Sequence, residues 1–139
     1  AYGSTGIYHN KARDFDVEVC VTQVLRSESA LDFIAGLGDY YKEPGVGKEY
    51  LLAKVRIQGV KDGKRQKISL SGYHNFACAS ASGFFYDRAY IPDLAPVISD
   101  IYPGEATEGY LCFIVETGDP VLIGFRGDSG AGAAWFASA

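Results

Sequence analysis

A serine, a histidine and three aspartates occur along the chain in an order that could support acyl transfer. Ser129 lies in the sequence GDSG, His74 precedes it, and Asp87, Asp93 and Asp100 fall between them. In a serine hydrolase the histidine accepts the proton of the serine hydroxyl, and a carboxylate orients the histidine. Ser129 and His74 are therefore the candidate catalytic pair.

Other features of the sequence argue against this chemistry. Only ten residues follow Ser129, which leaves little chain for the strands that would build a substrate pocket. The sequence GDSG is also a good turn, because glycine, aspartate and serine each favour turns. We therefore predict that the chain is not an enzyme, and we keep a serine hydrolase using Ser129 and His74 as the alternative.

Basic residues are concentrated in one segment of the chain. Six of the 13 basic residues lie between positions 54 and 67: Lys54, Arg56, Lys61, Lys64, Arg65 and Lys67. Such a cluster is either a solvated face or a binding surface for an anionic polymer. The net charge of the whole chain is −4, so no nucleic acid partner is expected. These six residues are the predicted binding surface, and its partner is an unknown protein or an anionic or carbohydrate surface ligand.

Three cysteines, Cys20, Cys78 and Cys112, allow at most one disulfide. Their spacing matches no zinc-binding pattern, and we predict no metal site and no cofactor. If a disulfide forms, the pair Cys78–Cys112 is favoured because each residue lies in an apolar stretch. Three small thiols, buried or half-buried, are the other alternative.

The composition is that of one folded domain. The chain has 139 residues, of which 47% are hydrophobic and 14% aromatic, and this excludes disorder as the main state. No apolar run approaches the roughly 18 residues that span a membrane. Residues 1–13 are mostly polar and glycine-containing, so they are predicted to form an N-terminal arm or tether. Residues 14–139 then form a single β-sandwich domain.

Alternating apolar and polar residues predict β-strands. The clearest run is 50–60, in which the apolar residues at 51, 53, 55 and 57 face one side. Residues 15–21 alternate in the same way, and the phase shifts near Gln23, which indicates a bulge or a strand end. The dipeptide Asp62-Gly63 predicts a hairpin that returns along residues 66–70.

Further strands are predicted near 75–79, 84–90, 109–116, 121–125 and 133–137, between frequent glycine and proline turns. The run 109–116 is apolar on both faces, as expected for a central strand. No amphipathic helix of three turns is predicted, and residues 27–49 are a long connection with a helical turn at most. The predicted fold class is all-β, an immunoglobulin-like two-sheet β-sandwich of about seven to eight short strands.

Two stretches of the sequence, 47–60 and 102–116, resemble a family of telokin-like, immunoglobulin-type β-sandwich domains. The family belongs to surface lipoproteins and secreted proteins of Gram-positive bacteria, and it is similar in fold to a mycobacterial immunoprotective extracellular protein. The chain departs from the family pattern in its cysteines and in the serine- and alanine-rich segment 77–82. The residues that carry the resemblance are Gly47, Lys48, Glu49, Tyr50, Leu51, Lys54, Val55, Pro103, Gly104, Glu105, Gly109, Tyr110, Leu111 and Phe113.

The resemblance implies a location and no chemistry, because the family supplies no catalytic residues. It implies a secreted or lipid-anchored precursor, with the anchor ahead of residue 1 and residues 1–13 as the end of a tether. The expected function is a non-enzymatic, extracytoplasmic binding or interaction module at a bacterial cell surface. Membrane contact is expected only through a removed N-terminal lipid anchor. A purely structural spacer domain is a further alternative.

Overall fold

Antiparallel strands dominate the structure, a computed structural model that describes residues 5–10, 15–38, 43–59, 68–71, 75–91, 94, 98–102, 104–125 and 134–137. These residues form nine strands and one helix. In chain order they are β1 (Thr5–Asn10), β2 (Phe15–Arg26), α1 (Ser27–Leu37), β3 (Lys48–Gly59), β4 (Ile68–Ser71), β5 (Phe76–Ser80), β6 (Ile98–Ile101), β7 (Ala106–Glu116), β8 (Val121–Phe125) and β9 (Ala134–Ala137).

The strands are arranged in a four-stranded sheet, a three-stranded sheet and a two-stranded pair. Their orders are β1-β2-β3-β7, β5-β8-β9 and β4-β6, and every neighbouring pair is antiparallel. The predicted all-β sandwich is confirmed. Strands β2, β3 and β7 have 11 or 12 residues and are longer than the short strands predicted.

The main core contains side chains from both larger sheets. Alternate residues of β3 contribute to it, and these are the four apolar positions that the sequence assigned to one face. Phe113 of β7 and Phe125 of β8 are among its largest fully buried side chains. Interdigitated side chains from two facing sheets are the expected core of a β-sandwich.

Helix α1 covers part of the other face of the four-stranded sheet. Its residues Ala30 and Ile34 are buried with Leu52 of β3 and Cys112 of β7. The prediction that no helix of three turns forms is therefore wrong: apolar residues of 30–37 do recur at helical spacing, but nearby glycines gave the segment the composition of a loop. Because the helix covers this end of β3 and β7, both strands are apolar on both faces there. Among the described residues, no helix is long and apolar enough to cross a membrane.

Strand β2 contains the predicted irregularity. Its register against β3 shifts between Val21 and Gln23, so the bulge expected near Gln23 is confirmed. After the shift, Val24 packs against the main core, whereas Leu25 packs with the helix. The bulge therefore shifts the phase of the strand, so that Val21 and Val24, three residues apart, both face the main core.

The predicted hairpin between residues 50–60 and 66–70 is wrong. Strand β3 is paired with β2 along one edge and with β7 along the other. Strand β4, which contains the described part of the proposed return strand, pairs with β6 instead. An Asp-Gly signal reports only a local turn preference, and hydrogen bonding on both edges of β3 leaves no place for β4. The dipeptide Asp62-Gly63 itself lies outside the described residues.

Residues 84–90 connect the two larger sheets. The Tyr86 N–H donates to the Cys78 carbonyl of β5 at 2.8 Å, and the Ala89 N–H donates to the Cys112 carbonyl of β7 at 2.9 Å. The segment was predicted as a strand, but it forms two isolated bridges, one to each sheet. Strand β7 is the last strand of its sheet and not a central one. Residues 87–89 form hydrogen bonds along part of its outer edge and so cover it.

Part of the predicted N-terminal arm belongs to the four-stranded sheet. Residues 5–10 form β1, which pairs with β2 from Thr5 opposite Cys20 to Asn10 opposite Phe15. Backbone pairing along a strand edge requires no apolar side chain, and this is why the composition of residues 1–13 indicated an arm.

The favoured disulfide Cys78–Cys112 is not formed, and none of the three cysteines is in a disulfide. Cys78 lies in the core between the sheets, whereas Cys112 lies on the helix side of β7. The four-stranded sheet, which contains β7, therefore separates the two sulfur atoms. Burial raises the pKa of each thiol to about 12.

We expect Cys78 and Cys112 to be unreactive in the native protein, because each is buried and remains protonated near neutral pH. Titration with a colorimetric thiol reagent at pH 8 should detect at most one fast-reacting thiol, the half-buried Cys20. All three thiols should react after denaturation without a reductant. Detection of a single thiol in the denatured chain would instead indicate a disulfide.

Candidate binding face of the four-stranded sheet

A group of polar side chains lies on the outer face of the four-stranded sheet, next to the part that the helix covers. The register of β3 and β7 places Lys54 opposite Tyr110 and Arg56 opposite Glu108. Alternate residues of both strands pack in the core, so these four side chains point to the opposite face. Together with Gln58, they are called the outer polar face below.

Lys54 and Arg56 share one carboxylate. The Lys54 Nζ lies 3.5 Å from Glu108 Oε2, and the Arg56 Nε lies 3.8 Å from Glu108 Oε1. The three side chains are 35% to 49% exposed. Both distances exceed the roughly 2.7–2.9 Å of a tight charge-assisted hydrogen bond, and exposed pairs of this kind contribute about 1 kcal/mol at most. Glu108 therefore holds the two cations only loosely.

Tyr110 supplies an aromatic surface in the same group. The Lys54 ammonium lies 5.8 Å from the centroid of the Tyr110 ring, within the range of a cation–π interaction. Phe33 of the helix packs against Tyr110, with ring centroids 5.0 Å apart and planes tilted by 44°. Helix α1 therefore borders the outer polar face on the side of Tyr110.

Strand β2 borders the other side of the outer polar face. Its register places Gln23 opposite Lys54, Cys20 opposite Arg56 and Glu18 opposite Gln58. The Arg56 Nη1 donates to Gln58 Oε1 at 3.1 Å, which directs the guanidinium along the strand. An acidic residue, Glu18, thus lies at the end of the face away from the helix.

A second polar cluster lies where β2 meets helix α1. The Arg26 Nε donates to Glu49 Oε1 at 2.7 Å, and the Arg26 Nη1 donates to the Asp119 carbonyl at 2.7 Å. The Ser27 hydroxyl donates to the other oxygen of Glu49, and the Gly118 N–H donates to Oε1 at 3.3 Å. Glu49 is only 6% exposed. Burial alone would raise the pKa of Glu49, but these donors and the Arg26 charge outweigh burial and hold it below its ordinary value.

A shallow cleft of about 220 Å³ adjoins this cluster. Ser27, at its edge, has a φ of 51°, a left-handed backbone conformation that residues other than glycine adopt infrequently. Both carboxylate oxygens of Glu49 already accept hydrogen bonds from the protein. The arrangement is therefore a clamp that joins β2, β3 and the β7–β8 turn.

The structure describes only part of the predicted binding surface, and binding there stays a prediction. Lys54 and Arg56 are brought together on one face, as their spacing of two residues requires. The other four predicted residues lie outside the described part of the chain: Lys61, Lys64, Arg65 and Lys67. The hydrolase candidates Ser129 and His74 also lie outside it. Within the described ranges, no group of His, Cys, Asp or Glu side chains could hold a metal ion.

Sequence reasoning missed Glu108 and Tyr110 as members of the site. Tyr110 lay in the predicted strand 109–116, whereas Glu108 lay just before it, and β7 begins earlier, at Ala106. What the sequence could not supply was the pairing of β7 with β3, which brings both residues to Lys54 and Arg56.

The architecture defines a β-sandwich domain with one helix packed on the outer face of its larger sheet. No protein-family model and no curated protein matches the sequence. Solved structures do share the fold. The "putative lipoprotein" ycdA of Bacillus subtilis is 14% identical with a TM-score of 0.69, and the match covers 99% of this chain and 38% of that one.

Two further solved structures extend the likeness. The secreted protein MPT63 of Mycobacterium tuberculosis is 17% identical with a TM-score of 0.63, over 98% of this chain and 93% of that one. An uncharacterized β-sandwich protein of Clostridium difficile is 14% identical with a TM-score of 0.51, over 100% of this chain and 92% of that one. The resemblance inferred from residues 47–60 and 102–116 is thus confirmed as a shared fold. The chain spans well under half of the Bacillus subtilis protein.

Proposed function

We propose that the chain is a non-catalytic, extracytoplasmic interaction domain of a bacterial cell surface, and that its outer polar face binds an anionic polymer. One observation carries the proposal: Lys54 and Arg56 lie side by side and share the single carboxylate of Glu108. Lys54 and Arg56 place two positive charges side by side in a chain whose net charge is negative, with Glu108 between them and Glu18 only at the far end of the face. An anionic ligand gains when its contacts with both cations are shorter than the two loose ion pairs to Glu108 that it displaces.

The names of two structural neighbours support the proposed location. MPT63 is called a secreted protein, and ycdA is called a "putative lipoprotein". The proposed surface is also supported by the sequence that follows β3. Four more basic residues occur within eight positions of its end, and they would extend the surface toward one ligand: Lys61, Lys64, Arg65 and Lys67.

We expect the Lys54→Gln/Arg56→Gln double variant to bind polyglutamate about tenfold more weakly than the wild type, because each lost ion pair is worth about 0.5–1 kcal/mol. Binding is measured at low salt by biolayer interferometry on the immobilised polymer. Wild-type affinity should also fall as salt is added, since exposed charges are screened. A third variant, in which Lys61, Lys64, Arg65 and Lys67 become Glu, tests the rest of the basic segment.

The matched control is Lys48→Gln, which removes one exposed positive charge at the opposite end of the same strand. It should change the affinity by less than about twofold, because the site is local. A loss of binding free energy in Lys48→Gln that is half of the loss in the double variant, one charge against two, would show that only net charge matters. Unchanged binding in the outer-face variants would refute the proposal. Labelling by a fluorophosphonate probe that is lost in Ser129→Ala would favour the hydrolase alternative.

A second candidate surface for a protein partner is the segment 84–90. Phe84, Phe85 and Tyr90 are 49%, 64% and 74% exposed, although backbone hydrogen bonds hold the segment to both sheets. Large aromatic side chains on a fixed backbone lose little conformational entropy when they bind a protein. This surface becomes the favoured one if the polymer experiment fails.

A further inference from the structure

We propose that the ligand of the outer polar face is an acidic polysaccharide, with one sugar ring packed on Tyr110 and its acidic group held by Lys54 and Arg56. The inference rests on the proposed function, which by itself requires only an anionic polymer. It adds the chemical class of the ligand, and it assigns separate roles to the aromatic and the basic side chains.

The position of Tyr110 favours a sugar over a simple polyanion. Its ring is half-buried on a rigid strand, and Phe33 packs against it, so the ring is held in place before a ligand arrives. The apolar C–H face of a pyranose ring can cover an aromatic ring, whereas a chain of carboxylates or phosphates offers no such surface. The hydroxyl of Tyr110 can donate a hydrogen bond to any anion, but its ring adds to binding when the ligand has an apolar face to stack.

Lys54 lies between the ring of Tyr110 and the carboxylate of Glu108 and can contact both a stacked sugar and its acidic group. Its ammonium lies 5.8 Å from the centroid of Tyr110 and 3.5 Å from Glu108 Oε2. A sugar that stacks on this ring takes the place of the ammonium there, and an acidic group on the sugar then lies within reach of Lys54. The ligand acid would take the place of Glu108, whose two ion pairs are long and exposed.

Planar polar side chains continue the face along β3. Arg56 donates to Gln58 at 3.1 Å, so both groups are already oriented. Arginine offers several N–H donors, and glutamine and glutamate offer acceptors, which together match the alternating donors and acceptors of sugar hydroxyls. Glu18 at the far end repels further negative charge, so one acidic group near Lys54 fits the face better than a continuous polyanion.

The test compares two carboxylate polymers that differ in whether they contain sugar rings. Polygalacturonate oligosaccharides and polyglutamate of matched charge are titrated against the full chain at low salt, with neutral dextran and single-stranded DNA as further probes. We expect wild-type protein to bind polygalacturonate more tightly than polyglutamate. Tyr110→Leu should weaken polygalacturonate binding by about three- to tenfold and leave polyglutamate binding unchanged.

Tyr110→Phe is the matched control, because it keeps the ring and should keep the binding of polygalacturonate within about twofold. Circular dichroism and thermal unfolding verify that both variants are folded. Equal wild-type affinity for the two carboxylate polymers, or equal effects of Tyr110→Leu on both, would overturn the sugar assignment while the proposed function stands. Tighter binding of single-stranded DNA would overturn it in favour of a nucleic acid. If no anionic polymer binds, the proposed function itself fails.

Discussion

Replacing Glu49 with alanine is expected to lower the free energy of unfolding by about 3–5 kcal/mol, the usual cost of removing one partner from a buried ion pair. Arg26, whose side chain is only 18% exposed, would lose its carboxylate and remain charged. The Ser27 hydroxyl and the Gly118 N–H would lose their acceptor at the same time. Urea unfolding followed by circular dichroism measures the change.

The control for this prediction is Glu116→Ala at the same end of the sandwich. Glu116 is exposed, and its contribution to the Arg26 cluster is made by its backbone carbonyl, which the substitution keeps. This variant should change the free energy of unfolding by less than about 0.5 kcal/mol. A loss below about 1 kcal/mol in Glu49→Ala would contradict the prediction, since that is the value of an exposed pair.

The same carboxylate should make stability depend on pH. The folded-state pKa of Glu49 lies below its ordinary value of 4.5, so the unfolded chain binds this proton more readily than the folded one. The contribution of Glu49 is therefore fully present above pH 4.5 and is lost as the pH falls from there through the folded-state pKa. Glu49→Gln should flatten this part of the stability curve, because glutamine does not titrate.

The elements that the sequence predicted well are those whose burial follows a local period. Strand β3 has core residues at alternate positions, and the bulge in β2 changes the phase of its apolar residues. These patterns are visible in the sequence because each side chain meets the core directly. Helix α1 was missed because its buried stripe is short and lies beside glycine-rich sequence.

The pairing of strands was the part that local patterns could not predict. The Asp62-Gly63 signal indicated a hairpin after β3, yet β3 has β2 and β7 as its partners. The two edges of β3 are paired with segments that lie far apart in the chain, and no local sequence preference indicates which segments pair. The candidate site has the same limit: Lys54 and Arg56 were predicted, whereas Glu108 and Tyr110 depend on the pairing with β7.

Truncating Phe113 to alanine should cost about 3–5 kcal/mol of unfolding free energy, the usual range for a buried phenylalanine. The side chain is 1% exposed and is one of the largest in the core between the sheets. Its backbone pairs with Leu51 on one edge of β7 and with Arg88 on the other. A strand held on both edges cannot move inward to fill the space, so the cavity should persist and the loss should lie toward the upper end of the range.

Phe85→Ala makes the same chemical change at a side chain that is 64% exposed, and it is expected to cost less than about 1 kcal/mol. Urea unfolding of both variants at one temperature provides the comparison, and the denaturant slope should stay unchanged if only the cavity term differs. Similar losses of unfolding free energy in the two variants would mean that the core between the sheets is not the main source of stability. A loss near 4 kcal/mol at Phe113 alone would instead place that source there, because domains of this kind are stable by only about 5–15 kcal/mol in total.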